Sequence, residues 1–398
     1  MKIHILALAF VLVSPSCPAH AAKHSQASTP STTGDVVEAT VIPDSFDKES
    51  EEMKEQIDGS TEPDPSAFVP PSAVMTTKEK QDAGREASAI INQIPDKRRL
   101  KARRADGTPT IALALGGGGA RGAAHIGILN VLEAEHIIPD QIVGNSMGSI
   151  VGGLYCAGVS LADIRSHLSD GTLRRAYMPG GVGKRITTLP FSRLVHPFRP
   201  RHFAGLWSGE KLTKYLDAIL PRPNMDISDT PIAFSAVATN LLDGKAYRIT
   251  KGRLSTAMKA SAAITPIIQP VAIGNKLFVD GGVRANLPAS AARDTGAGLV
   301  IAVLVDEPME VLQPNQFMHL KKIASRMADI VLATSDERQL QFADIVINPD
   351  VSSIPVLSND PADVEKAIHA GEDAARKALP ELRRRLRKTD ASVHRGKI

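Results

Sequence analysis

Three short stretches carry residue types that could do chemistry together. Gly144-Asn145-Ser146-Met147-Gly148 sets a serine between two glycines, after an apolar strand candidate at Gln141 to Val143 and before a helical run from Ser149 to Ala157. At such a strand-to-helix turn the serine hydroxyl is exposed, which is the arrangement of a nucleophile elbow. The same residues would also suit a plain turn with Ser146 as a helix N-cap. Upstream, the apolar run Thr110 to Leu115 ends in Gly116 to Gly119, followed by Ala120-Arg121-Gly122 and a helix with apolar positions Ala123, Ile126, Leu129 and Leu132. A glycine loop opening a helix aims backbone N–H groups and the positive helix end at an oxygen above it. Downstream, Lys276 to Asp280 reads as a strand after a Gly274-Asn275 hairpin turn, and its aspartate is followed by Gly281 and Gly282. An aspartate at that end of a strand faces the crevice where α/β sheets bind ligands; an ordinary Asp-Gly turn is the bland alternative.

The combination allows two readings. Gly117-x-Gly119-x-x-Gly122 satisfies a dinucleotide fingerprint, and that reading needs an acidic residue about twenty positions on to bind a ribose. Asp140 is available, but it precedes the second strand and does not end it. A phosphate-loop reading fits less well, because Arg121-Gly122 stands where Lys and Ser or Thr are needed. The other reading is covalent acyl transfer, in which the serine requires a base. His167, His319 and His369 fall on helical segments, His394 in a tail, and His196 and His202 in a basic loop, so no downstream histidine has the setting of a triad member. Asp280 does have the setting of a base.

Taken together, Gly117-Gly118-Gly119-Ala120-Arg121-Gly122, Gly144 to Gly148 and Asp280-Gly281-Gly282 resemble the patatin-like phospholipase family, most closely its bacterial branch. The likeness runs from about Ile111 to Asp294 and includes an Asn286-x-Pro288 match. It implies a Ser/Asp dyad of Ser146 and Asp280, with Gly117, Gly118, Gly119 and Arg121 around the oxyanion. Gly122, Gly144, Gly148, Gly281 and Gly282 complete the motifs. It also implies hydrolysis of carboxylic esters of lipids without a cofactor. No Asp/Glu/His cluster has metal-ligand spacing. A non-catalytic envelope protein that keeps the fold to bind lipid is the alternative from a different class.

The elements that must position these residues follow from composition and period. The chain has 398 residues, 43% of them hydrophobic but only 4% aromatic. Such aliphatic-rich runs suit parallel strands buried on both faces. The expectation is a three-layer α/β/α domain with a mostly parallel central sheet over residues 108–306. Further strands are expected at Phe234 to Leu241, Leu299 to Asp306 and Ala343 to Ile347, with helices at Leu254 to Ile264 and Phe317 to Phe342. A C-terminal helical extension, 307–388, includes Pro361 to Lys388, and a tail of 389–398 follows it.

The N-terminal part reads differently. Lys2, the apolar stretch Ile3 to Val13 and Ala19-His20-Ala21 have the form of an export signal over 1–21, too short to span a bilayer. Cys17 follows small residues as a lipoprotein cysteine would, but no Leu lies three positions before it. Residues 22–75 form an acidic, proline-rich segment expected to be disordered: Lys23 to Val74 holds eleven Asp or Glu against three Lys or Arg. Residues 76–107 read as a helical, charged lead-in. The localisation expected is periplasmic or secreted, with membrane association. Gly171 to Gly209 contains seven Lys or Arg and no acid, interleaved with Tyr177, Phe191, Phe198, Phe203 and Trp207. That pattern suits a cap meeting a phospholipid surface. Export and the lack of a recognition motif argue against a nucleic-acid partner. Cys156, on an apolar helix, is expected to be a small core residue.

Overall fold

The computed structural model describes residues 39–41, 99–180, 205–265, 267–306, 311–318 and 320–387. The expected signal segment, most of the acidic segment, residues 76–98, the tail, and Lys184, Arg185, Phe191, Arg193, Phe198, Arg199, Arg201 and Phe203 lie outside the described residues. Strands β1 (Ala39–Val41), β2 (Ile111–Leu115), β3 (Gln141–Asn145), β4 (Ala233–Asn240), β5 (Ala246–Ile249), β6 (Val271–Ile273), β7 (Lys276–Asp280), β8 (Leu299–Val303) and β9 (Ile345–Ile347) form one sheet. Its path is β1-β5-β4-β3-β2-β8-β9. The β4-β3-β2-β8-β9 block is parallel throughout.

β5 departs from that pattern and runs antiparallel to β4, because only residues 241–245 join them and a parallel crossover needs a dozen or more. Residues 39–41, inside the segment expected to be disordered, run antiparallel to β5. Thr40 and Val41 are β-branched, and β5 would otherwise present an unpaired edge. The expected helical lead-in is also corrected over 99–107. There Leu100 N–H donates to Thr295 O (2.8 Å), Arg103 bridges Pro109, and a turn closes at Gly107.

Helices cover both sheet faces. On one lie α1 (Ala124–Ala134), α2 (Met147–Cys156), α3 (Leu161–Ser169), α4 (Thr172–Tyr177), α5 (Glu210–Ile219) and α6 (Leu254–Ser261), with the long C-terminal helix Pro361–Arg387 packed over α1. On the other lie α7 (Gly282–Ala285), α8 (Ala289–Arg293) and α9 (Leu320–Leu340); the C-terminal helix is therefore α10. β2 shows why the chain chooses this arrangement. Ile111, Leu113 and Leu115 point into the thick α1/α2 layer, while Ala112 and Ala114 meet the close-packed alanines of α8, and all five are buried. Burying a residue such as Leu113 contributes roughly 1.5–3 kcal/mol.

α10 reaches the backbone of α1. A Cβ on Gly127 would lie 1.9 Å from Ile368 O, and one on Gly371 would lie 2.0 Å from Ala124 O. Ahead of α10, the Val356 carbonyl accepts the Ala120 N–H (2.9 Å), so the C-terminal segment is bound to the glycine loop itself.

Candidate active site

The register of the sheet brings Ser146 and Asp280 together. One edge of β4 is taken by β5 over Ala236 to Thr239. On its other edge β3 climbs as far as the Asn145–Val237 pair, and β7 descends to the Asp280–Ala238 pair. The two strands therefore meet head-on, with Ser146 leaving one where Asp280 ends the other. The end of α6 ties both: Ser261 Oγ accepts the Ser146 N–H (3.0 Å), Ser261 O accepts the Gly281 N–H (3.4 Å) and Ala263 O accepts the Asp280 N–H (3.1 Å).

Ser146 has φ 50° and ψ −120°, a conformation costly for a residue with a Cβ. Although it occupies the cap position of α2, its side chain makes no capping bond, so the hydroxyl is left for chemistry. Gly144 and Gly148 permit the turn: a Cβ on Gly144 would lie 2.5 Å from Gly148 O, and one on Gly148 would lie 2.3 Å from Leu115 O. The other motif glycines sit where neighbours leave no room: Gly122 against Met147, Gly281 against Val237 O, and Gly282 against the Asp280 carboxylate.

Both dyad candidates are nearly enclosed, Ser146 at 7% exposure and Asp280 at 8%. Asp280 Oδ1 accepts the Gly282 N–H (2.8 Å). Oδ2 is buried with no partner at full hydrogen-bonding geometry, yet the Ser146 hydroxyl is near enough to favour the charged carboxylate. Burial is the larger effect and pushes Asp280 up to about 6, against the lowering by the Gly282 N–H and Ser146. Asp280 is thus a stronger base than an ordinary aspartate and is still mostly ionised at neutral pH.

The backbone N–H groups left without an acceptor are not all those the sequence named. Gly117 N–H already donates to Asn286 O (3.1 Å), so Gly117 does not offer a donor; its role is space, since a Cβ there would lie 3.1 Å from that of Ser146. Gly118 and Gly119 carry N–H groups with no acceptor among the described residues, and so does Met147, the residue after the serine. Donation by that following residue is usual at a nucleophile elbow. The Arg121 Nε donates to Ile354 O (2.7 Å), which fastens the glycine loop to the C-terminal segment. His125, missed in the sequence, bonds Gly116 O (2.9 Å) and is held neutral by burial, its pKa lowered to about 4.

Ser146 opens onto a pocket with an empty volume of about 890 Å³, its open mouth included. Ile150, Leu173, Met178, Ile264 and Val364 form apolar walls, and Arg174 and Asp360 stand among its polar lining. Tyr177 also lines it and donates to Ala262 O (2.7 Å); burial, and then the Asp280 charge, raise its pKa.

The other candidates are placed elsewhere. Asp140 accepts the Ile111 N–H (2.7 Å) and pairs with Arg104 (2.6 Å), at the opposite end of β2 from the glycine loop, so it cannot serve a ribose there. His167 Nδ1 bonds the Tyr215 hydroxyl (2.8 Å), and His369 is 73% exposed beside Glu372. His196, His202, His319 and His394 lie outside the described residues. Among the described residues no group of His, Cys, Asp and Glu could hold a metal ion.

Residues 113–293 match the patatin-like phospholipase family. An NTE family protein of Mycobacterium tuberculosis (strain ATCC 25618 / H37Rv) is 36% identical over 218 residues, covering 53% of this chain and 54% of its own length. The mouse patatin-like phospholipase domain-containing protein 6 is 32% identical over 202 residues, 49% of this chain and 13% of that one. The chain thus spans about half the length of the mycobacterial relative. Among solved structures, VipD from Legionella pneumophila aligns with a TM-score of 0.39 at 13% identity, over 74% of this chain and 73% of that one. The patatin-like match ends at Arg293, so Val356 to Val364 in the pocket wall come from outside it.

Proposed function

We propose that this chain is a serine acyl hydrolase of lipid esters, of phospholipase A or lysophospholipase type, working through Ser146 and Asp280. The observation that carries the reading is the head-on meeting of β3 and β7, which sets a strained, uncapped serine hydroxyl against a buried carboxylate oxygen lacking any other partner. Ser146 Oγ attacks the acyl carbonyl as its proton passes to Asp280 Oδ2, and the developing oxyanion is met by the Gly118, Gly119 and Met147 N–H groups. The ester C–O bond then breaks, Asp280 returns its proton to the leaving alcohol, and an acyl-serine remains. Water attacks that ester with Asp280 again taking the proton, which goes back to Ser146 as the fatty acid departs. One oxyanion donor is typically worth about 2.7–4 kcal/mol.

The apolar pocket suits an acyl chain, and Arg174 at its lining suits an anionic headgroup. Peripheral contact with a membrane is the second part of the proposal. Among the described residues no helix is long and apolar enough to cross a membrane. The N-terminal half of α9 instead exposes Ile323, Met327 and Ile330 at helical spacing, with Val311 and Met318 exposed just before it. Residues 311–330 carry Lys321, Lys322 and Arg326 against Asp329 alone, which favours an anionic lipid surface. Export to the periplasm or beyond stays part of the proposal on the form of residues 1–21.

The test follows fatty acid released from mixed phospholipid vesicles in EDTA. Ser146→Ala and Asp280→Asn are expected to lower the rate by at least about 10³-fold. The wild-type rate is expected to fall below about pH 6 as Asp280 takes up a proton. Full activity in Asp280→Asn would end the dyad reading, whereas absence of hydrolysis with lipid still bound would favour a non-catalytic lipid binder.

A further inference from the structure

Behind the glycine loop lies a second pair of carboxyl groups that this chemistry does not use. Asp306 follows β8, and Asp336, 3% exposed, sits on α9. Between them is the Asn286 carboxamide, whose Nδ2 donates to Asp306 Oδ2 (2.6 Å) and to Asp336 Oδ2 (3.1 Å). Asp336 Oδ1 also accepts the Leu287 N–H (2.7 Å). On its far side Asn286 faces the catalytic elements. Its backbone oxygen accepts the Gly117 N–H (3.1 Å) and Asn145 Nδ2 (3.2 Å), and its Oδ1 accepts Asn145 Nδ2 as well (3.1 Å). Asn145 is bonded directly to Ser146. One side chain therefore links the carboxyl pair to the nucleophile elbow, and its backbone links it to the glycine loop.

We propose that Asp306 and Asp336 are positioning residues: sharing a single proton, they hold Asn286, and through it the glycine loop and Ser146, in the reactive register. The inference rests on the hydrolase reading above. The geometry points to the shared proton, because Asp306 Oδ2 and Asp336 Oδ2 converge at 2.6 and 3.1 Å on the one Asn286 Nδ2, and a buried and a half-buried carboxylate held this close disfavour each other's charge. Two cations stand on the elements packed against α9. Arg293 on α8 is engaged by Asp344 and the Phe342 carbonyl, and Arg284 on α7 is half-buried with its carbonyl accepting the Ser335 hydroxyl. On α9 itself Glu337 is exposed and Arg338 half-exposed. Toward β7 stands Asp280, whose Oδ1 and the Asn286 Oδ1 both lie beside Gly282. Burial first, and Asp306 next, raise Asp336 well above the usual carboxylate range. Loss of the shared proton would set two charges side by side and drive them apart, taking Asn286 with them.

Asp336→Asn removes the second charge: its amide can donate to Asp306 while its oxygen keeps the Leu287 N–H, and Asn286 stays held by Asp306 (2.6 Å) although its longer bond to position 336 is given up; Asp336→Ala removes the Leu287 bond as well. The experiment measures the rate at which a fluorophosphonate labels Ser146 across pH in wild type, Asp336→Asn, Asp336→Ala and Asp306→Asn. Wild type should label slowly in acid, where Asp280 is protonated, and lose rate again on the alkaline side. Asp336→Asn should label within about fivefold of wild type at neutral pH and lose the alkaline fall, while Asp336→Ala should be slowed about tenfold or more with its acid limb unmoved. Should Asp336→Ala fail to fold, the pH profiles of Asp336→Asn and Asp306→Asn decide the matter, both lacking the alkaline fall. A labelled wild type with an unchanged alkaline fall in both Asn variants overturns the positioning role alone. An unlabelled wild type overturns the hydrolase reading and the positioning role together.

Discussion

Asp280 is kept where its own charge is disfavoured, and the fold loses stability for it. Its folded pKa of about 6 lies above the ordinary 3.8, so the native state holds the proton more tightly than the unfolded chain does. The penalty is absent below about pH 4 and complete above about pH 6, where a shift of this size corresponds to about 2–3 kcal/mol. Asp280→Asn is therefore expected to be more stable than wild type to denaturant at pH 7, with the gain vanishing at pH 4. A second strain sits at Ser146, whose φ of 50° suits glycine. Ser146→Gly should exceed Ser146→Ala in stability by about 1 kcal/mol in the same measurement. The turns that carry Ser146, Asp280 and the motif glycines were legible in the sequence because each motif encodes a local turn. Ser261 was not, because its bond reaches across elements distant in sequence, with 115 residues between it and Ser146; Asn286 stood out only as part of an Asn-x-Pro match that gave no sign of its partners, and His125, nine residues from Gly116, sits in an apolar helical run that gave no sign of its bond. Gly117 illustrates the same limit, since its place in the motif gave no sign that its N–H meets Asn286.

At the scale of elements, residues beyond the patatin-like match complete the site. Val356 is bonded to the glycine loop and Val364 on α10 lines the pocket. Val364→Trp is expected to shift kcat/KM toward shorter acyl chains across a series of ester substrates, with little change for the shortest. Gly127→Leu would place carbon on the Ile368 carbonyl and force α10 off α1; overpacking of this kind costs about 1–3 kcal/mol or more, to be read as a lower denaturation midpoint. The parallel block and the long helices were legible from apolar period. β5 and the short helices α4, α5 and α8 were not anticipated, because four- to ten-residue segments carry little periodic signal and their form is set by what they pack against.

For the whole molecule, Ser146, Asp280 and the glycine loop gather at the C-terminal edge of the parallel strands, and α9 reaches past that edge. Asp336 stands level with Asn286, and Asp344 further along donates its N–H to Val300 O near the start of β8, so α9 descends toward the opposite edge. Followed the other way, Ile323 lies about 20 Å beyond Asp336 along the helix, on the side where Ser146 opens. Lipid contact at this stripe would place substrate near the pocket mouth. Ile323→Glu with Met327→Glu is expected to weaken partition onto anionic vesicles by at least about tenfold in a flotation assay, leaving hydrolysis of a soluble short-chain ester unchanged. The basic run expected to form a lipid-facing cap contributes Arg174, Arg175, Tyr177 and Trp207 to the described residues, and Arg174 and Tyr177 line the pocket.

The most direct test of the central claim is the mass of the peptide containing Ser146 after the purified chain reacts with a fluorophosphonate in EDTA. The account predicts one adduct, on Ser146, formed by wild type and lost in both Ser146→Ala and Asp280→Asn. An adduct on another serine, or undiminished labelling of Ser146 in Asp280→Asn, would contradict it.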